Sequence, residues 1–458
     1  MKVSIKSYNT MHNLFRSYIL MVILFPISVF AQLSTSSPYS IFGLGELSPG
    51  GFTQHHASGG ASISLRDQNN FSFSNPASYS KIRFTIYNLG VGVNFGKIAD
   101  QTTEIKTNSG NFNHFAMAFP LNTKKAMAFS FGVNQYSDVG YEIKDVGYEI
   151  QNIVDTDTLN YFSLYKGTGG INRLYVGYGV ELMNNLSLGG NLNMNFGNIQ
   201  SRKYRVYPDT NTVFSFSDET FYAYKGLDFD LGVQYSIQSK KGNEMNHTIG
   251  AVFRGGTKLN GNGYRYAETF YGESFQFGTG NIASIDTLIY EDNKKATISK
   301  PLGVALGYTL NKGDKWTLSL EAEQILFSSL ENKVSSGEFK DNMRYSTGFS
   351  IIPSPNYGER GSFLKHVRYS IGARYEDLYY NFGSQTFREF GISFGLGLPV
   401  VKSVRLEDEK VPVVSRVNIS AEYIKRGSSS NDFIQEDYFK IGLGLNLNDK
   451  WFTKRKYR

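Results

Sequence analysis

The sequence predicts an all-β fold: a transmembrane antiparallel β-barrel of about 14 strands with an N-terminal hatch, a plug, in its lumen. Three observations lead there. Segments with strict two-residue alternation recur along the chain, apolar on one face and small or polar on the other. Short and long connections between these segments alternate. Aromatic residues make up 15% of the chain, 31 Tyr and 35 Phe against 2 Trp, beside 47 Gly, while the mean hydropathy is −0.31. A polar average with that much aromatic and glycine content fits amphipathic strands better than apolar helices.

The chain opens with a targeting pattern. Lys2, Lys6 and Arg16 give a basic start, and Tyr18 to Phe30 is an apolar run interrupted by Pro26. Such a run is short for a membrane span and reads as a cleaved Sec-type signal peptide over residues 1–31, with Gln32 first in the mature chain. No cysteine occurs, which excludes disulfides, an N-terminal lipid-modified cysteine and thiolate metal sites. The formal charge of +7 falls to 7 − 3 = +4 once the three basic leader residues are removed. Only the tail Lys454 to Arg458 is densely basic, so nucleic acid is not an expected partner.

Residues 32–80 read as lead-in and hatch. Gln32 to Gly51 carries turn signals at Pro38, Gly43, Gly45 and Pro49. Gly59 to Ser80 is too rich in Gly, Ser and Asn for a strand and ends in Asn75-Pro76-Ala77, where Pro76 fixes its own φ and keeps Asn75 extended.

Residues 81–458 read as the barrel. Tyr87, Leu89, Val91, Val93 and Phe95 alternate with Asn88, Gly90, Gly92 and Asn94, so one face is apolar and the other small or polar. Phe390 to Leu398 and Phe439 to Leu447 repeat the pattern. Fourteen such segments are expected, at 82–96, 111–121, 125–135, 171–183, 185–199, 225–238, 246–258, 297–310, 315–326, 342–352, 364–377, 387–400, 412–426 and 436–449. Most exceed the roughly 9–11 residues a tilted strand needs to cross a bilayer. Connections after even strands are short; those after odd strands are mostly long, notably Tyr136 to Gly170, Gln200 to Tyr224 and Leu259 to Ala296. Sorting by length puts long extracellular loops on one side and turns with both termini on the other. Tyr87, Tyr136, Tyr175, Tyr308, Tyr375 and Tyr438 stand near strand ends, as interfacial girdles require. A tandem VGYEI at Val139 to Ile143 and Val146 to Ile150 falls in the second long connection and predicts a short hairpin above the membrane.

Parity assigns a luminal charged network to Arg173, Glu181, Asp228, Asp230, Arg254, Glu321, Glu323, Arg344, Arg368, Arg374, Glu376, Glu422 and Lys440. Mixed signs point to ion-pair networks joining wall and plug, unlike the one-signed lining of a diffusion pore. The mature histidines, His55, His56, His114, His247 and His366, stand in no metal-binding spacing, and HExxH and GxSxG are absent. No enzyme, metal or cofactor is expected.

Gly59-Gly60-Ala61, Asp67 and Asn75-Pro76-Ala77 resemble the N-terminal hatch of FadL-type outer-membrane transporters. The resemblance implies a fourteen-stranded barrel that takes up a hydrophobic, fatty-acid-like small molecule and releases it through a wall opening at a kinked third strand. The third strand here, Lys125 to Gln135, has no Pro and only Gly132 as a weak point; Pro120 sits in the second. Ile63, Leu65, Phe71, Phe73 and Tyr79 are candidates for lining a ligand path, or equally for packing the hatch on the wall. The wider family also implies an alternative, a PorV-like, non-transporting barrel serving type IX secretion. Such a barrel is a scaffold or cargo-holding subunit of an outer-membrane protein complex. The run from Arg388 to Trp451 resembles members from bacteria with that system. Expected partners are therefore outer-membrane lipid, a hydrophobic small molecule, and other outer-membrane or secretion-system proteins bound through the long loops.

Overall fold

The computed structural model describes residues 35–450, apart from 36, 101–102, 153–156, 211, 240–244, 277–279, 330–337, 358–361, 383–384, 407–408 and 428–432. The predicted leader, the tail Lys454 to Arg458 and Trp451 lie outside the described residues.

The strands are β1 (Glu46–Leu47), β2 (Thr85–Ala99), β3 (Glu104–Asn122), β4 (Met127–Asn152), β5 (Asp157–Met183), β6 (Leu186–Val206), β7 (Ser215–Gln238), β8 (Met245–Arg254) and β9 (Thr257–Phe270). They continue as β10 (Ser284–Lys300), β11 (Gly303–Lys312), β12 (Trp316–Ile325), β13 (Glu338–Phe339), β14 (Asn342–Ile351), β15 (Arg368–Phe382), β16 (Gln385–Leu406), β17 (Glu409–Gly427) and β18 (Gln435–Asp449). Gly255-Gly256 joins β8 to β9, and Pro301-Leu302 joins β10 to β11; each pair is one wall strand with a break in it. With β1 and β13 as short accessories, fourteen antiparallel strands make the wall. The ring closes where β18 pairs with β2, from Gln435 opposite Ala99 to Asp449 opposite Thr85. Closure is what lets strands cross hydrocarbon, because it leaves no edge of unpaired N–H and C=O groups there. Leu192, Leu227, Leu306, Val93 and Phe394 stand exposed on the outside, on the apolar parity of their strands, as a lipid-facing belt requires.

Each expected strand falls on one wall strand. The expected long loops, however, are largely strand. β4 and β5 stay paired up to Asn152 opposite Asp157, so most of the Tyr136 to Gly170 connection is ladder, and both VGYEI copies lie on β4. β6 and β7 continue to Arg205 opposite Phe216, and β9 and β10 to Phe270 opposite Ser284. Above the membrane both sheet faces meet water or neighbouring loops. The two-residue alternation that marks a lipid-facing strand therefore fades, although hydrogen bonding continues. The result is a six-stranded extension, β4-β5-β6-β7-β9-β10, standing above one side of the ring.

Candidate functional site

The lumen holds residues 37–84, folded as a hatch. A short helix, α1 (Thr53–His56), is followed by Gly59 and Gly60, whose φ values of +71° and +89° suit residues without a Cβ. A 3₁₀ turn over Pro76–Lys81 starts at Asn75, whose side chain accepts from the Ala77 N–H at 3.0 Å and donates to the Ile63 carbonyl at 2.7 Å. Asn75 therefore ties two hatch segments together, and its Nδ2 also reaches the Val233 carbonyl of the wall at 3.3 Å. The wall's small face now has a cause. A Cβ at Gly189 would lie 2.3 Å from the Pro76 carbonyl carbon, and one at Gly372 2.1 Å from the Gly59 nitrogen. Hatch backbone presses directly on strand backbone at these positions.

Polar side chains of the wall take up the hatch backbone. Glu321 accepts from the Ser62 and Ile63 N–H groups at 2.6 and 2.9 Å. Gln234 donates to the Ile63 and Leu65 carbonyls at 2.9 and 3.1 Å, and the Gly59 N–H donates to Ser393 Oγ at 2.9 Å. Two ion pairs fasten the lower end: Arg66 to Glu181 at 2.9 Å and Asp67 to Arg368 at 3.5 Å. Ala61 and Ala77 are buried.

The apolar hatch side chains are packed. Phe71, Phe73 and Tyr79 cluster with Phe52, Ile82, Ile86, Tyr175 and three wall alanines. Ile63 packs on Val252 and Ala305. Leu65 borders a vestibule of about 320 Å³ on the turn side, whose walls include Arg66, Asp67, Asn69, Lys81, Asp314 and Arg368. Deeper voids measure about 90 Å³, beside Glu46, His56, Phe73 and Lys440, and about 50 Å³, beside Tyr136, Arg173 and Lys300. A site for a drug-sized apolar ligand is usually about 300–1,000 Å³ and largely apolar. Among the described residues, a void of about 570 Å³ with apolar walls lies on the lipid-facing side, between Leu306, Tyr308, Leu320, Tyr345 and Phe390.

The charged residues form two networks. In the first, Glu323 pairs with Arg254 at 2.7 Å and with Arg344, Asp228 with Lys300 at 2.9 Å, and Asp230 with Arg173 at 3.7 Å. Asn193 donates to both Asp228 and Asp230, and Asn195 to Asp228. In the second, Arg374 meets Glu389 at 2.7 Å and Glu422 at 3.2 Å, while Asn342 donates to Glu376 at 2.8 Å. Arg426 is the hub: it reaches Glu389 at 2.6 Å, Glu436 at 3.1 Å and Glu46 at 2.8 Å. Lys440 adds a contact to Glu46 at 3.5 Å. Burial alone would raise the Glu46 carboxyl, but Arg426 and then Lys440 hold it well below the usual carboxylate range. The lead-in is thereby locked down: Thr35 donates to Glu46 and Ser37 to Glu436, each at 2.6 Å, and Tyr379 donates to the Phe42 and Gly45 carbonyls at 2.8 and 2.7 Å.

One seam in the wall is built differently. β3 and β4 pair only from Asn122 opposite Met127 up to His114 opposite Asn134. Both strands are irregular there: Asn113 is skipped in the β2–β3 register and Tyr136 in the β4–β5 register. Such bulges bend a strand and end its pairing. Above the split, β1 takes the freed edge of β4, with Glu46 opposite Asp138 and Leu47 opposite Ser137, and the Ser48 N–H donates to the Tyr136 carbonyl at 2.9 Å. Gly132, the weak point expected from sequence, is paired on both sides, with Ala116 and Tyr175; the break comes a few residues later.

Residues 14–458 match the BamG family model. The chain belongs to the BamG family. No curated protein matches this sequence. Among solved structures, this BamG-family chain is similar to a Pseudomonas aeruginosa FadL homologue at 13% identity and TM-score 0.56, covering 88% of this chain and 99% of that one. It is similar to the P. putida toluene transporter TodX at 11% identity and TM-score 0.53, covering 89% and 100%. It is also similar to the CymD monoaromatic hydrocarbon channel at 11% and 0.51, covering 89% and 99%. At such identities the likeness establishes a shared fold.

Sequence reasoning missed five charged members of the BamG-family chain's two networks: Lys300 in the first, which lies before the Pro301-Leu302 break where the parity of β11 no longer carries, and Glu46, Glu389, Arg426 and Glu436 in the second. Three were within reach. Glu436 shares parity with Lys440, Arg426 with Glu422, and Glu389 with Gly391, so carrying the alternation to the strand ends finds them. Glu46 had no such signal, because two residues of strand show no period.

Proposed function

We propose that this protein is a non-transporting outer-membrane barrel that serves as a subunit of the barrel-assembly (BAM) complex, holding other protein subunits against its extension. The observation that carries this reading is the filled lumen. The hatch is fixed to the wall by backbone hydrogen bonds and buried ion pairs, and the voids left within it are small or polar. A conduit for a hydrophobic molecule would need a continuous apolar passage. Membership of the BamG family supports the same reading. The leader over residues 1–31 would export the chain, and the apolar outer face would seat it in lipid.

Uptake of a hydrophobic small molecule is the second reading, favoured by the fold shared with hydrocarbon channels. One experiment separates the two. The tagged full-length chain is extracted in mild detergent from native outer membrane and purified. Co-purification of barrel-assembly subunits in fixed stoichiometry is expected. A lone barrel carrying lipid, together with lost uptake of labelled long-chain fatty acid in a deletion strain, would establish transport instead.

A further inference from the structure

The six-stranded extension has two outer edges, and they are finished differently. β10 pairs with β9 alone, and its register is broken three times, between Ser284 and Asp286, Thr287 and Ile289, and Glu291 and Lys294. Asn293 there has φ +54°, and Glu291 pairs with Lys294 within the strand. Bulges and charges of this kind stop an edge from accepting another strand. The other edge, β4 from Gly140 to Ile150, has none of these bulges: its register with β5 is unbroken from Ser137 to Ile150 and shifts only beyond it, before Asn152. It contains no proline. Val146 and Tyr148 are 72% and 67% exposed on it.

The base of this same edge already carries a strand, since β1 pairs antiparallel with Ser137 and Asp138. The Gly140 N–H points away from β5 too, donating to Ser40 Oγ at 3.0 Å. Backbone groups alternate in direction along a strand, so Glu142, Val146 and Tyr148, of the same parity as Gly140, also aim theirs outward. Among the described residues no strand pairs with them. Val146 and Tyr148 carry the exposed apolar surface of this edge, and the buried core of the extension lies behind it. Val146 lies opposite Phe162, which belongs to a buried cluster with Leu164, Tyr204, Val206, Phe270 and Phe275. A docked strand would find backbone partners along the edge and apolar ground for its alternate side chains.

We propose that β4 from Glu142 to Tyr148, the region of the tandem VGYEI, is a docking edge that a strand of another surface subunit extends by antiparallel pairing. The inference rests on the scaffold reading and names its contact. A second copy of this chain fits the edge poorly. Two β4 edges centred on one another between Asp145 and Val146 would set Glu142 opposite Glu149 twice, and like charges directly opposite destabilise a pair. Glu142 is already paired with Lys166 of β5 at 3.1 Å, and Val146 and Tyr148 stand exposed beside it, so an apolar-alternating strand is the complementary occupant.

The test uses the full-length chain purified from native outer membrane, with amide hydrogen exchange read at Glu142, Val146 and Tyr148. Exchange at these amides is expected to be at least about tenfold slower in the purified complex than in the isolated barrel. Val146→Pro removes an outward N–H while sparing the β4–β5 ladder, and should lower recovery of the bound subunit about tenfold. Tyr148→Lys, which leaves the backbone intact, should lower it less. Unprotected amides, or full recovery with both variants, overturns the docking edge and leaves the scaffold reading standing. Protection with a mass of two copies overturns it in favour of self-pairing. A wild-type chain that purifies alone overturns both.

Discussion

The closed ring and the open extension are made of the same antiparallel ladder, often of the same strands, yet they are completed in opposite ways. In the ring every strand has two neighbours, and β18 meets β2. Its inward face is consumed by the hatch, with glycines against backbone and carboxylates against guanidinium groups. In the extension the sheet stops at β4 and β10, and apolar side chains such as Val146 remain exposed. The contrast separates two jobs. Groups that largely satisfy one another hold the structure; an unblunted edge with exposed apolar side chains is where a partner has something to gain.

The largest expected effect breaks the ring side of the contrast. Arg426→Met leaves Glu389, Glu436 and Glu46 around a missing cation, and removing one partner of a buried ion pair costs about 3–5 kcal/mol. The urea midpoint of the barrel in liposomes should fall accordingly, and trypsin should gain access to Arg66 as the lead-in and hatch loosen. Unchanged resistance would show that the hub does not hold the lead-in. Next comes a pair of adjacent glycines on opposite faces. Gly189→Val drives into the Pro76 carbonyl and should cost about 1–3 kcal/mol in the same measurement. Gly190→Val points outward, where a Cβ has 3.6 Å to Leu231, and should stay within about 0.5 kcal/mol.

A pH scan sharpens the picture of the hatch. Burial, then the neighbouring His56 and Arg368, lower the His55 pKa from 6.5 to about 3. The unfolded hatch thus binds a proton that the folded hatch refuses throughout that window. Stability from this group is complete above pH 6.5 and declines as the pH falls from 6.5 towards 3. Hatch release, read by trypsin access to Arg66, should rise across the same window. His56 beside it is lowered by burial in the same way and shares the window, so His55→Asn, which keeps an acceptor for the Phe52 N–H now at 3.1 Å from Nδ1, should reduce the slope without abolishing it. The smallest effect is on the extension side: Tyr148→Lys, at an exposed position and with the backbone intact, should alter barrel stability by less than about 0.5 kcal/mol while it changes partner recovery. A large loss of stability would mean that the edge is structural and erase the contrast.

Much of the ring was legible from residues alone. Alternation such as Leu89, Val91, Val93 against Gly90, Gly92, Asn94 is local, repeats every two residues, and assigns both the strand and the direction of each side chain. Asn75-Pro76-Ala77 marked the hatch in the same local way, through the fixed φ of Pro76 and the extended Asn75 before it; the structure adds the capping contact from the Asn75 side chain. Only the tertiary structure decided which charges meet. Glu46 and Arg426 are 380 positions apart in sequence, and no local period links them. It also decided that the long connections continue as strands, that β3 and β4 part beside Asn113 and Tyr136, and that β1 fills the gap. Those outcomes depend on which edges are left unpaired once the ring has closed. Side-chain direction is a property of a single strand, whereas pairing is a property of two.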